Sequence, residues 1–152
     1  MSFNLTRKSD YGLVALSFLA RQKIAEGEPV SSRHLAELFG LPLQLLMNVL
    51  KDLHRADVIS SRRGASGGYF LTRPPHEISL KQVIEAVEGP VGVTLCSEHG
   101  DEENPCTIQT QCPINGPMVK VNNLFSDFLE QISLVDLIEN EEAVLPLLGV
   151  NV

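Results

Sequence analysis

Apolar residues recur at helical spacing in three successive stretches of the first sixty residues. Tyr11, Val14, Ala15, Phe18 and Leu19 give one apolar face to a helix from about Lys8 to Arg21. Gly27-Glu28-Pro29 breaks the pattern. Ser31 or Ser32 then caps a second, short helix from His34 to Phe39, with Glu37 placed for a capping interaction. Gly40-Leu41-Pro42 closes it: glycine supplies the left-handed position after the last turn, and proline fits the first turn of the next helix. That third helix, roughly Pro42 to Ala56, turns Leu45, Leu46, Val49, Leu50 and Leu53 inward and Gln44, Asn48, Lys51, Asp52 and Arg55 outward. Two helices joined by a short glycine-containing turn predict a helix-turn-helix, whose second helix enters the DNA major groove.

The period then changes. Val58-Ile59-Ser60-Ser61 and Tyr69-Phe70-Leu71-Thr72 are strand-like and flank a glycine-rich tip, Arg62-Arg63-Gly64-Ala65-Ser66-Gly67-Gly68. A hairpin directly after a helix-turn-helix is the wing of a winged helix, and glycines at its tip let the backbone lie close to phosphates or enter a narrow minor groove. Pro74-Pro75 marks a joint, Ser79 caps a helix from Leu80 to Glu88, and Gly89-Pro90 ends it. Residues 91–116 have no period and predict a loop. From Pro117, Met118, Val121, Phe125, Phe128, Ile132 and Val135 step by threes and fours, a heptad seam flanked by Leu124 and Leu129. Ser133 offers an alternative end, capping a short helix through Leu137-Ile138. So wide a stripe has no place in one small winged helix, whereas a homodimer buries it. The expectation is a mainly α chain in three parts: a winged helix-turn-helix with a β-hairpin wing over 1–75, a connecting helix and cysteine-bearing loop over 76–116, and a long C-terminal dimerisation helix with an acidic, then apolar tail over 117–152. The tail from Glu139 is given no role.

Charge changes the picture. The 152 residues carry a formal net charge of −7, which on its face disfavours a polyanion partner. The average hides a split. Residues 1–75 hold ten Lys/Arg against six Asp/Glu, whereas residues 76–152 hold two against thirteen. Nucleic acid is excluded for the second half and open for the first. No signal-peptide pattern opens the chain and no stretch reaches the apolar length of a membrane span, so the expected location is cytoplasmic, without a membrane partner.

Candidate chemistry falls in two places. Cys96, Cys106 and Cys112 lie within seventeen residues of one polar loop, and an odd count of thiols in a reducing compartment is a poor disulfide framework. Thiolates are soft ligands suited to iron–sulfur clusters and zinc. In the basic half, Arg62 and Arg63 on the wing, with Ser66, are candidate DNA contacts, and Arg33 or His34 reaches phosphate. Gln44, Asn48 and Lys51 are the candidates for base edges; Leu43 and Met47, on the same face, suit thymine methyls. Tyr11 and Tyr69 read as core or rim aromatics. His54 and His76 have no sequence neighbours that suggest chemistry. No catalytic triad order, paired carboxylates or phosphate-cradling loop is present, so the chain is not expected to be an enzyme.

The opening Leu5-Thr6-Arg7-Lys8-Ser9-Asp10-Tyr11-Gly12-Leu13, the wing Arg63-Gly64-Ala65-Ser66-Gly67-Gly68-Tyr69-Phe70-Leu71, the following helix, the cysteine loop and the final helix come in an order that resembles the IscR/NsrR/RirA-type winged-helix regulators, the Rrf-two family. The likeness covers about residues 3–140. It implies a dimeric regulator, most simply a repressor, on a double-stranded DNA operator. It also implies an iron–sulfur cluster, 4Fe–4S or 2Fe–2S, on Cys96, Cys106 and Cys112, sensing nitric oxide, redox or iron–sulfur status. The fourth ligand varies within the family. The IscR-type histidine position is Asn115 here, a poor iron ligand, whereas the partner-subunit aspartate of the nitric-oxide-sensing type matches Asp10. His99, in the acidic insertion between the first two cysteines, is a substitute. Two alternatives stay open: zinc or a thiol switch in place of the cluster, and a protein-interaction module that binds no DNA.

Overall fold

The computed structural model describes residues 5–24, 28–94 and 106–139. Helix α1 spans Arg7–Ile24, α2 Ser32–Phe39 and α3 Leu43–Arg55. They pack through Leu16, Leu19, Leu35, Leu46, Val49, Leu50 and Leu53, all nearly inaccessible to solvent. Leu45, expected inward, is only half-buried. Ser31 caps α2, its side chain accepting from the His34 amide; His34, not Glu37, therefore holds the third helical position, so no reciprocal capping box forms. Gly40 takes the left-handed conformation at φ 62°, and the Leu41 amide returns to the Ala36 carbonyl at 2.9 Å. Pro42 stands before α3 as its cap rather than in its first turn.

The turn out of α3 fixes the hairpin. Asp57 sits at φ 58°, a left-handed position that aspartate tolerates better than most residues. The Val58 amide bonds the Leu53 carbonyl at 3.0 Å, and the Thr72 hydroxyl donates to the Asp57 and Val58 carbonyls. Strands β1 (Ile59–Arg62) and β2 (Gly68–Leu71) pair antiparallel in the register Ile59↔Leu71 through Arg62↔Gly68. Val30 adds a bridge on the outer side of β2, exchanging bonds with Tyr69 at 2.9 and 2.8 Å.

After a 3₁₀ turn at Pro75–Glu77 comes α4, Leu80–Glu88, opened by a capping box between Ser79 and Gln82. Its apolar residues Val83, Ile84 and Val87 are buried. Within the segment expected to be loop to residue 116, a 3₁₀ turn occupies Gln109–Gln111, and α5 begins at Asn115. Helix α5 (Asn115–Gln131) stops before Val135, so the alternative end is the observed one. Ser133 caps α6 (Leu134–Glu139), exchanging hydrogen bonds with Asp136. Two backbone bonds, Leu80 amide to Ile132 carbonyl at 2.7 Å and Leu134 amide to Ile78 carbonyl at 2.8 Å, tie this junction to the start of α4. No helix among the described residues is long and apolar enough to cross a membrane.

Candidate nucleic-acid interface and cysteine loop

Gln44, Asn48, Lys51 and Arg55 are exposed on α3. Their steps of four, three and four align them in one row along the helix. Leu43 and Met47 are half-buried, so the outer face is more polar than the sequence suggests. Arg33 and His34 are exposed in the first turn of α2. Phe18 lies against the His34 ring, with centroids 6.1 Å apart.

The wing arginines separate. Arg62 ends β1 and lies 6.0 Å from the centre of the Phe70 ring, a cation–π distance. Arg63 lies beyond the strand and is exposed. The tip glycines serve the hairpin itself. A Cβ on Gly67 would stand 2.3 Å from the Arg62 carbonyl oxygen, and one on Gly68 would stand 2.4 Å from the Val30 backbone. Only Gly64, at φ 114° with open space around it, keeps a purely conformational role.

Two depressions flank the hairpin. One, of about 380 Å³, brings His34 and Ser66 together with Ser31, Gly67 and Glu28 between α2 and the wing tip. The other, of about 410 Å³, lies between α3 and the strands and contains Lys51. The structure thus places His34 beside Ser66, and Lys51 beside the wing.

Cys106 and Cys112 are both half-buried. The backbone between them is held by bonds from Gln109 to Cys106 and from Cys112 to Gln109, each 3.4 Å, and the Asn115 amide returns to the Cys112 carbonyl at 3.3 Å. The Asn115 side-chain oxygen is buried without a hydrogen-bond partner. Cys96 and His99 lie outside the described residues. Asp10 is exposed in the first turn of α1. Among the described residues no three His, Cys, Asp or Glu side chains gather as a metal site, so Asp10, Cys106 and Cys112 of one chain do not form one cluster.

Sequence reasoning missed the contact that joins α1 to the root of this loop. The Glu88 carboxylate, at the end of α4, accepts from the Thr6 amide at 3.2 Å, from the Thr6 hydroxyl, and from the buried Ser9 hydroxyl at 2.7 Å. Partial burial alone would raise the Glu88 pKa; the Thr6 and Ser9 donors outweigh it and hold the carboxyl below its ordinary value. Only the three-dimensional fold brings these residues together, because they are about eighty positions apart.

Residues 5–140 match the Rrf2 family, described as an iron-dependent transcriptional regulator. The chain is 29% identical over 147 residues to the HTH-type transcriptional regulator NsrR of Oceanobacillus iheyensis, covering 97% of each chain. It is 31% identical over 140 residues to the HTH-type transcriptional regulator IscR of Vibrio campbellii, covering 92% of this chain and 80% of that one. It is similar in structure to CymR, the global cysteine regulator of Bacillus subtilis, at 25% identity and a TM-score of 0.67, covering 90% of this chain and 97% of that one. The mainly helical chain with its two-stranded hairpin therefore belongs to the Rrf2 family of winged-helix transcriptional regulators, and it is a regulator rather than an enzyme.

Proposed function

We propose that the protein is a cytoplasmic homodimeric repressor whose affinity for a double-stranded DNA operator responds to an iron–sulfur cluster sensing nitric oxide, redox or iron–sulfur status. The reading part is 1–75, the cluster-bearing connection 76–116, and the dimerising part 117–152. Arg33, His34, Gln44, Asn48, Lys51, Arg62, Arg63 and Ser66 face the DNA. Cys96, Cys106 and Cys112 hold the cluster, 4Fe–4S or 2Fe–2S, and Asp10 of the partner subunit completes it.

The observation that carries this reading is the pair of half-buried thiols on one short turn directly before α5. The donors suit the group: thiolates are the usual ligands of iron–sulfur iron. Asn115 sits beside Cys112 with a buried oxygen that nothing satisfies, an unmet polar requirement at the same turn. When bound, the cluster supplies a redox- and ligand-sensitive charge centre. The protein's own part is to hold the thiolates, limit water, and relay the state of the loop through α4 to α1. That relay needs two conformations with different contacts.

The test is anaerobic purification followed by visible absorbance and iron and sulfide analysis. A coloured protein is expected, with absorbance lost in Cys106→Ser and Cys112→Ser. A colourless protein holding zinc contradicts the cluster and assigns a zinc site. A metal-free protein whose thiols oxidise reversibly assigns a thiol switch. Failure to bind any promoter fragment, including its own, contradicts DNA regulation and leaves a protein-interaction module.

A further inference from the structure

The depression between α3 and the hairpin is lined by Lys51, His54, Arg55, Ser61 and Tyr69. The helix supplies three nitrogen-bearing side chains three and four positions apart, neighbours on one face. The hairpin supplies two hydroxyls. Ser61 and Tyr69 are direct cross-strand partners, so their side chains leave the same face of the sheet. None of the described lining residues is a carboxylate. Among the described residues, Asp52 is the one acid bound to a lining residue, 3.1 Å from the Arg55 guanidinium. With Arg55 79% exposed, that pair is worth little and yields readily to a stronger anion.

Both walls are fixed. Tyr69 is held by two backbone hydrogen bonds with Val30, and the turn from α3 into β1 is locked by the Val58 and Thr72 hydrogen bonds. Lys51 and Arg55 also continue the row that begins with Gln44 and Asn48.

We infer that this cleft holds a phosphodiester of one DNA strand, clamped between the end of the reading helix and the wing. The inference rests on the DNA-binding function proposed above and assigns further contacts within it. Lys51 becomes a phosphate contact rather than a base contact. His54, Arg55, Ser61 and Tyr69 join the interface. The cations meet the phosphate charge, and the hydroxyls donate to its oxygens, contacts that position a protein on DNA without reading its sequence. The clamp fixes the spacing between helix and wing, so the helix and the wing engage a duplex as one rigid unit.

The test uses the full-length protein, an own-promoter fragment and a random-sequence duplex, with affinity measured across a salt series. Lys51→Ala and Arg55→Ala are each expected to flatten the log–log salt slope by ~0.9 and to weaken both duplexes by the same factor. Arg55→Lys is expected to keep the slope, and because residue 55 is exposed, folding is preserved in both Arg55 variants. Unchanged slopes in Lys51→Ala and Arg55→Ala, with a flattened slope in Arg63→Ala, overturn the clamp and leave DNA binding standing. Lost promoter preference at unchanged slope in Lys51→Ala returns that residue to base reading and also overturns the clamp. No binding of either duplex by the unsubstituted protein at low salt overturns DNA binding itself.

Discussion

Glu88 is a residue whose ionised form the fold holds directly, through Thr6 and Ser9. Its depressed pKa means that the ionised form is favoured in the folded chain. The stability it contributes is present above the unfolded pKa and is lost as pH falls through the folded one. In Glu88→Gln, the thermal midpoint is expected to fall at neutral pH, and the gap from the unsubstituted protein to close as pH drops below the usual glutamate range; a gap constant with pH contradicts the role. Gly68 is steric rather than electrostatic. Gly68→Ala drives a methyl into the Val30 backbone and is expected to destabilise by about 1–3 kcal/mol, as overpacking does, read by chemical denaturation. Both residues show where sequence reasoning stops. The glycine run was visible, but its reason, a third segment crossing at Val30, depends on a contact that no local pattern encodes. Glu88 looked like an ordinary last helical residue.

Among the elements, α5 is the one whose pattern divides between two uses. Leu129 and Ile132 are 6% and 3% exposed, packed within the chain, whereas Ile114, Val121 and Leu124 are 58%, 44% and 71% exposed. The heptad row read from Met118 therefore splits: its end serves the core, and the row left uncovered among the described residues runs through Ile114, Pro117, Val121, Leu124 and the half-buried Phe128. The steps of three and four were legible because they follow from helical geometry. Which row stays free was not, because the same spacing fits both and only the docking of Ile132 against the start of α4 decides. If the free row is the dimer seam, Leu124→Lys forfeits about 1.5–3 kcal/mol of apolar burial per subunit and is expected to give a folded monomer by sedimentation; an unchanged dimer moves the seam elsewhere. Helices α2 and α4 were legible for simpler reasons: Ser31, Gly40 and Ser79 act locally as caps, so nearby residues suffice to predict them. Asp57, left-handed without being glycine, had no such signal. Asp57→Gly is expected to stabilise the chain by about 1 kcal/mol, measured as a raised denaturation midpoint.

At the scale of the molecule, the charge split follows the architecture. The basic first half contains α1 to α3 and the hairpin, with Arg33, Lys51, Arg55, Arg62 and Arg63 exposed, and the acidic second half contains α4 to α6. An acidic body behind a basic face orients approach to DNA. The cysteine loop departs from the end of α4, where Glu88 is bonded to the start of α1, and α1 packs on both α3 and α4. Helix α4 is thus linked to α3 through α1, by hydrogen bonds at the first junction and by packing at the second, and in the proposed function this is the route from the loop to the reading helix. The clustering of the three cysteines is legible in the sequence, whereas the proposed fourth ligand, Asp10 of the partner subunit, depends on assembly, which a single chain's pattern does not specify. The most direct measurement is an anaerobic titration of the cluster-loaded and cluster-free forms onto an own-promoter fragment at one salt concentration. A difference in affinity of about tenfold or more is expected, within the usual range of coupling between two sites. Equal affinities of the two forms would contradict a regulator governed by its cluster.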